Sequence, residues 1–287
     1  MNIINFDCLL EIFDYCELSV INNLLRISKE FLNKKEYFKR YINIKFPFRR
    51  KLQNWTSYIQ AIKLGHLAVI KYMIKFDIPF DLYIDNYNMK YSAIAYASYF
   101  GHLEIVKYLH LNGLFVCDSR AMDDAAMNGH LEIVKWLHEN RLEGCTACAA
   151  IGASRNGHLE IVKWIYKNRY KDCENLSTPM RYSLRGCTKM CIEEAALCGN
   201  LEIIKWFHEY ESDDTNSLRS RELDEWSSVV MDNACLNGHL EIVKWLHKNR
   251  SEGCTTYALI GADINENPEI FDWFKKNRIE DYAHYMK

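Results

Sequence analysis

The stretch NGHLEIVKWLHENR at residues 128–141 returns almost unchanged as NGHLEIVKWIYKNR at 156–169 and as NGHLEIVKWLHKNR at 237–250. Such self-similarity constrains the fold strongly, because every copy must take up the same local structure and bury the same face. With the Gly of GHLE as anchor, further copies start at Gly65, Gly101 and Gly199, and a worn one has Glu266 at the Gly place. Successive anchors are 36, 28, 28, 42, 39 and 28 residues apart, so the minimum repeat is 28 residues and the longer intervals hold insertions.

After the anchor the apolar residues follow a helical period. Position +2 is Leu67, Leu103, Leu131, Leu159, Leu201 and Leu240, with Pro268 in the worn copy. Positions +4 and +5 are aliphatic, as in Ile133-Val134 and Ile242-Val243, and +8 is Leu109, Leu137, Ile165, Phe207, Leu246 or Phe274 in the later copies. Position +7 is always aromatic: Tyr72, Tyr108, Trp136, Trp164, Trp206, Trp245, Trp273. This spacing predicts an amphipathic helix of about ten residues.

A second helix is predicted before the anchor. Position −12 is Cys117, Cys145, Cys187 or Cys254 in four copies, and −11 is Asn54, Asp118, Thr146, Thr188, Ser227 or Thr255 in six. Those −11 types are helix N-caps. Position −4 is alanine in all seven copies, and −8 is Ala93, Ala121, Ala149 or Ala258 in four. A spacing of four puts both on one face, where small side chains let a neighbouring backbone approach. The Gly then supplies a left-handed residue that stops the helix. Each repeat thus reads as helix, Gly turn, helix. Neither helix can bury its face alone, but stacked repeats can. The expected fold class is all-α, a helical solenoid of about seven helix-turn-helix repeats. No alternation typical of strands is visible, and the four prolines, Pro47, Pro79, Pro179 and Pro268, leave long stretches uninterrupted.

The GHLEIVKWL segment resembles the second-helix signature of ankyrin repeats, over roughly residues 53–280. The usual repeat is about 33 residues, and here it is 28. The usual TPLH opening is replaced by CTxxA-like sequence. The missing residues fall between repeats, where ankyrin proteins carry a β-hairpin finger, so short turns are expected there. The short variant resembles the ankyrin-like repeats of large DNA viruses of amoebae.

The repeat cannot be traced into residues 1–46. Three short helical patterns stand there instead: Ile4, Leu9, Ile12, Phe13; then Ile21, Leu24, Leu25, Ile27; then Tyr37, Phe38, Tyr41, Ile42. The segment resembles an F-box. Ile4-Asn5 stands at its Leu-Pro place and Asp7 at its Glu place, Glu11 to Cys16 at the end of its first helix, and Leu25-Arg26-Ile27-Ser28-Lys29 at its Val-Ser-Lys stretch. The proline is lost and Cys16 replaces a leucine. The resemblance implies binding to a Skp-type adaptor of a cullin–RING ubiquitin ligase through Ile4, Leu9, Ile12 and Phe13. The alternative is a three-helix cap over the first repeat, since solenoids need covered ends. The domain reading is therefore 1–46 F-box-like, 47–52 linker and 53–287 repeats.

The repeated polar residues do not read as chemistry. His66, His102, His130, His158 and His239 recur one repeat apart, and stacked helices sit about 8–10 Å apart, too far to share an ion whose ligands lie about 2 Å away. Glu at +3 falls in the first helical turn, favoured by the helix dipole, three residues from a Lys at +6. Cys145-x-x-Cys148 has no second pair to complete a zinc site, so the cysteines read as small residues between repeats. None of the common nucleotide, hydrolase or metalloprotease motifs is present. No enzyme activity, cofactor or metal is expected.

A formal charge of −2 gives no pull towards nucleic acid or membrane, and no apolar run reaches a spanning length. The start MNIINFDCLLEIFD makes a poor signal peptide, and an odd eleven cysteines without a leader suggest reduced thiols in the cytoplasm, a host's if the source is viral. The expected role is a protein-protein interaction module, either a ubiquitin-ligase adaptor holding a target protein or a scaffold or decoy. Partner contacts are expected where copies differ: in the inserted loops 78–90, 170–186 and 209–225, with Asp81, Tyr83, Tyr87, Tyr170, Met180, Arg181, Tyr182, Arg219 and Arg221 as candidates.

Overall fold

The computed structural model describes residues 56–67, 70, 71, 74, 83, 84, 90–112, 117–168, 187–212 and 226–278. The chain divides into two compact parts, Met1–Val116 and Cys117–Lys287. Described residues of the first part hold two repeats. One has α1 (Thr56–Lys63) followed by helical residues at 67, 70, 71 and 74; the other has α2 (Ala93–Tyr99) and α3 (Leu103–Leu111). The second part holds five repeats. Their helix pairs are α4 (Arg120–Met127) with α5 (Leu131–Asn140), α6 (Ala147–Arg155) with α7 (Leu159–Asn168), α8 (Cys187–Leu197) with α9 (Leu201–Ser212), α10 (Ser228–Leu236) with α11 (Leu240–Asn249), and α12 (Tyr257–Ile264) with α13 (Pro268–Asn277).

One feature departs from the all-helical expectation. In the insertion around Pro79, β1 (Tyr83–Ile84) pairs antiparallel with β2 (Lys90–Tyr91), Tyr83 opposite Tyr91 and Ile84 opposite Lys90. Tyr and Ile favour extended backbone, and this interval is longer than the minimum repeat. In the two 28-residue intervals whose connections are described, the connection is a short turn as expected. Arg141 and Arg250 are extended, and Gly144 and Gly253 turn the chain at φ of 68° and 69°.

All seven repeats end their first helix in the same way. The anchor glycines have φ between 74° and 83°. The amide of the residue after the anchor donates to the carbonyl of the invariant alanine, from His66 N–H to Ala61 C=O through to Asn267 N–H to Ala262 C=O, at 2.8–2.9 Å in each. In six of the seven the anchor's own amide also donates to the next carbonyl along, as Gly129 does to Ala126 at 3.3 Å. These two bonds form a Schellman motif, which closes a helix through a left-handed residue. Glu266 keeps the motif at φ 52°, as the one non-glycine residue of positive φ among those described. A side chain in that conformation costs about 1 kcal/mol.

The alanines at −4 are all buried, which lets first helices of consecutive repeats lie in close contact within the second part. On the second helices the core positions are +4, +5 and +8, exemplified by Ile133, Val134 and Leu137, while the +2 leucines and the +7 aromatics are half-buried. Each buried aliphatic side chain contributes about 1.5–3 kcal/mol.

Second helices are stopped by their own asparagine at +11. Asn112, Asn140, Asn168, Asn249 and Asn277 each donate from Nδ2 to the carbonyl of the +7 aromatic at 2.7–2.8 Å. The fifth repeat has Tyr210 there, and its helix α9 runs on to Ser212. Exchanging Glu266 for Gly is expected to raise unfolding free energy by about 0.5–1 kcal/mol in urea titration, whereas Gly238→Ala lowers it. A Cβ at Gly238 would sit 2.7 Å from Asn267 Oδ1. A neutral or destabilising Glu266→Gly would contradict the strain assigned to this turn.

Candidate functional site

Besides standing at a helix start as expected, the residue after the anchor is part of the joint between repeats at His102, His158, Asn200, His239 and Asn267. His102 Nε2 lies 3.2 Å from Lys63 C=O, and His239 Nε2 lies 3.1 Å from Leu197 C=O. Asn200 Nδ2 donates to Ser154 and Arg155 carbonyls at 2.9 and 2.8 Å, and Asn267 reaches the Cys235 and Leu236 carbonyls at 3.5 and 3.3 Å. These acceptors lie at the C-terminal end of the preceding repeat's first helix, where carbonyls lack partners within the helix. A carbonyl only accepts, so the imidazole Nε2 must carry the proton. His and Asn alternate here because both bring an N–H donor to the same place. Burial pushes the His158 ring below the ordinary imidazole range, against the hydrogen bond it makes with the Met127 carbonyl. The same side chains cover the preceding glycine: a Cβ at Gly129 would meet His158 Cε1 at 2.8 Å.

A second joint was not anticipated. Asp123 at −6 accepts from the Thr146 amide at 2.7 Å and from its hydroxyl at 2.8 Å, and Asp232 does the same for Thr255 at 2.8 and 2.6 Å. Glu193 accepts from the Ser227 hydroxyl at 3.3 Å. Burial pushes the Asp123 carboxyl up to about 6, against the bonds from Thr146. The signal was present in the sequence, since each of these acids is followed one repeat later by a hydroxyl at −11. Ile151 stands at −6 before Thr188, whose hydroxyl instead meets Tyr166 Oη at 2.9 Å.

The +7 aromatics form a third joint. Trp164, Trp245 and Trp273 take edge-on contacts from His138, His208 and His247 of the preceding repeats, with ring centres 5.1–5.2 Å apart, and Tyr166 takes the histidine's place against Trp206. The Glu at +3 and Lys at +6 pair on the surface in five repeats at 2.7–2.9 Å, as expected. Exposed pairs of this kind contribute a few tenths of a kcal/mol. Among the described residues, no group of three His, Cys, Asp or Glu is placed to hold a metal ion, and no helix is long and apolar enough to cross a membrane.

Some exposed apolar side chains of the first helices in the second part take no part in these joints. Position −9 there is Cys148, Met190, Val229 and Tyr257 in four consecutive repeats, and all four are exposed; Met190, Val229 and Tyr257 keep 49 %, 41 % and 70 % of their surface. A row of apolar side chains facing water at repeat spacing is a recognition feature rather than a packing one. The neighbouring −5 positions are Gly152, Glu194, Asn233 and Gly261, and on the last first helix Ile260 and Ile264 are exposed along with Tyr257.

Of the residues proposed from sequence, Tyr83 lies in β1. Ile4, Leu9, Ile12, Phe13, Asp81, Tyr87, Tyr170, Met180, Arg181, Tyr182, Arg219 and Arg221 lie outside the described residues. The bases of two insertions are described. Tyr166, before one, bonds to Thr188 after it; Arg250 spans the other, donating to Glu211 at 2.8 Å and stacking 4.2 Å over Trp226.

Sequence models of the family match the chain in two stretches: "Ankyrin repeats (3 copies)" over residues 18–120 and "Ankyrin repeats (many copies)" over 122–165, together just over half its length. The chain belongs to the ankyrin-repeat family. Among solved structures, the human ASB11 ankyrin repeat domain is similar at 16 % identity over 68 % of this chain and 83 % of that one, with a TM-score of 0.46. No curated protein sequence matches.

Ankyrin joints of this kind have measurable strength. His239→Ala is expected to lower stability by about 1 kcal/mol, the worth of a hydrogen bond, while His239→Asn retains most of it; equal losses would show that the ring matters for its bulk alone. The thiols divide likewise. Cys148 and Cys198 are exposed, whereas Cys145, Cys187, Cys191 and Cys235 are buried; the hydrogen bond with Cys191 and then burial push the Cys187 thiol up, and burial pushes up that of Cys235. Brief iodoacetamide treatment of native protein at pH 7.5, read by peptide mass spectrometry, should label the first two and spare the other four.

Proposed function

We propose that this ankyrin-repeat protein is a target-binding adaptor whose repeats hold a protein and whose residues 1–46 recruit a Skp-type subunit of a cullin–RING ubiquitin ligase. Ankyrin repeats bind protein partners, and the family is typically non-catalytic. The observation that carries the target-binding half is the exposed apolar row at Cys148, Met190, Val229 and Tyr257. A solenoid presents such rows at regular spacing because each repeat contributes one copy. The ligase half is supported by the helical patterns of residues 1–46 and their F-box resemblance, with Ile4, Leu9, Ile12 and Phe13 as contact residues.

A second reading has one observation in its favour: the ankyrin match begins at residue 18, inside the F-box-like segment. On that reading the protein is a scaffold or decoy whose N-terminal helices cap the repeats. The full-length chain, immobilised and challenged with a purified Skp-type adaptor, separates the two. The adaptor reading expects saturable binding that Ile12→Asp and Phe13→Asp abolish while the thermal midpoint of the repeats is kept. Absence of binding by the unsubstituted chain leaves the scaffold reading.

A further inference from the structure

First helices of the second part hold their successors through positions −6 and −2. At −6, Asp123, Glu193 and Asp232 meet the −11 residue of the next repeat. At −2, Met127 and Leu236 lie against −5 glycines of the next repeat, where a Cβ on Gly152 or Gly261 would come within 3.0 and 2.9 Å of them. Arg155 at −2 pairs with Glu194 at 2.8 Å. On α12, the first helix of the seventh repeat, the same two positions are Ile260 and Ile264, and they are 38 % and 71 % exposed. Their apolar counterparts Ile151, Met127, Leu197 and Leu236 each have a successor and are half-buried. Tyr257 at −9 is a separate case, because −9 is exposed in repeats that have successors.

The sequence after α13 supplies an occupant for this face. The two described 28-residue connections begin RLEGCT at 141–146 and RSEGCT at 250–255, and residues 278–283 read RIEDYA. The arginine keeps its place in all three. Arg141 bonds to Cys117, Arg250 stacks over Trp226, and Arg278 Nη1 donates to Cys254 Sγ at 3.3 Å, each partner being the −12 residue of the same repeat. Arg278 differs in ψ, 60° against 153° and 154°, an angle that depends on residue 279, outside the described residues. In both described connections the fifth residue after the arginine lands on −6 of the repeat just completed, Thr146 on Asp123 and Thr255 on Asp232. By the same count Ala283 falls on Ile260. The two also match in kind. An acid faces a hydroxyl in the earlier pairs, whereas Ile260 and Ala283 bring no side-chain donor or acceptor that burial would leave without a partner.

We infer that residues 279–287 dock on this face of α12, with Ala283 against Ile260. In the described joints −11 meets −6 and −5 meets −2, so the segment leads from Ile260 towards Ile264. Tyr282 and Met286 stand at −12 and −8, where Cys145, Cys187 and Trp226, and Ala149, Cys191 and Val230, are buried. Removal of this apolar area from water drives the docking. It withdraws both isoleucines from the surface open to a target protein and leaves the −9 row, Tyr257 included, outside the joint. The inference rests on neither half of the proposed function.

The test uses the full-length chain with Ile260→Cys and Ala283→Cys, oxidised with glutathione disulfide and mapped by peptide mass spectrometry. The expected result is a 260–283 link within the monomer. The companion Asp272→Cys/Ala283→Cys, whose first thiol sits on an exposed position of α13, should not link, because a disulfide needs its Cα atoms within about 7 Å. Absence of the 260–283 link, or equal linking to position 272, would overturn the inference. A link between two chains would overturn it as well, by giving the face to a second copy. Hydrogen exchange provides a reading without new thiols. Ala283→Asp sets a charge against Ile260 and should speed exchange of the α12 amides about tenfold, with the circular dichroism of the parent retained. Unchanged exchange would contradict the docking. Adaptor capture through residues 1–46 can succeed or fail in either case.

Discussion

An α-helix ends in carbonyls that no residue of the same helix can satisfy. In this protein the way those carbonyls are closed determines most of the remaining structure. The left-handed glycine turns the backbone so that two amides fold back on the helix, the outer one always onto the −4 alanine. Further carbonyls at that end are taken by a side chain of the next repeat, His102, His239, Asn200 or Asn267. A first helix is therefore not finished until its successor is in place. That dependence links the repeats cooperatively, and it accounts for the alanines, the glycine and the following His or Asn as parts of one joint.

The other joints follow the same logic at other points of the repeat. Carboxylates at −6 in one repeat bind the start of the next first helix, and +9 rings lean edge-on against the next +7 aromatic. With up to three links of this kind between neighbours, a repeat needs no long finger to fix its neighbour's position. The two described 28-residue connections shrink to an extended arginine and a left-handed glycine, and Arg141 and Arg250 pair within the turn with Glu143 and Glu252. The insertions attach at pinned bases, since Tyr166 meets Thr188 and Arg250 holds both Glu211 and Trp226.

Much of the fold was legible in the sequence because it is written several times. The period, the glycine turns, the buried alanine stripe and the Glu–Lys pairs all came from positions that repeat. The worn copy at Glu266 was placed correctly because its alanine and its aliphatic residues survive, and its positive φ follows from that. The contacts between repeats were less visible, because they join residues 23 to 46 apart and involve partners of different type. Asp123 and Thr146 look unremarkable until read as a pair. The histidines stand at helix starts as read, but their bond was hidden because the acceptor lies in the preceding copy. The short hairpin at Tyr83 and Tyr91 was missed because it occurs once. The exposed row at −9 was hidden for the opposite reason: Cys, Met, Val and Tyr share no residue type, only a location. The N-terminal assignment and the inserted loops, which occur once each, stay with the proposal.

The central claim is that the residue after the anchor, His102, His158 or His239 where it is a histidine bonded across repeats, donates a hydrogen bond to the first helix of the preceding repeat. Nitrogen-15 NMR of the imidazole rings tests it most directly. The account predicts that His102, His158 and His239 each carry a proton on Nε2 that exchanges slowly with water. Nδ1–H tautomers, or ring protons exchanging as fast as those of an exposed histidine, would contradict it.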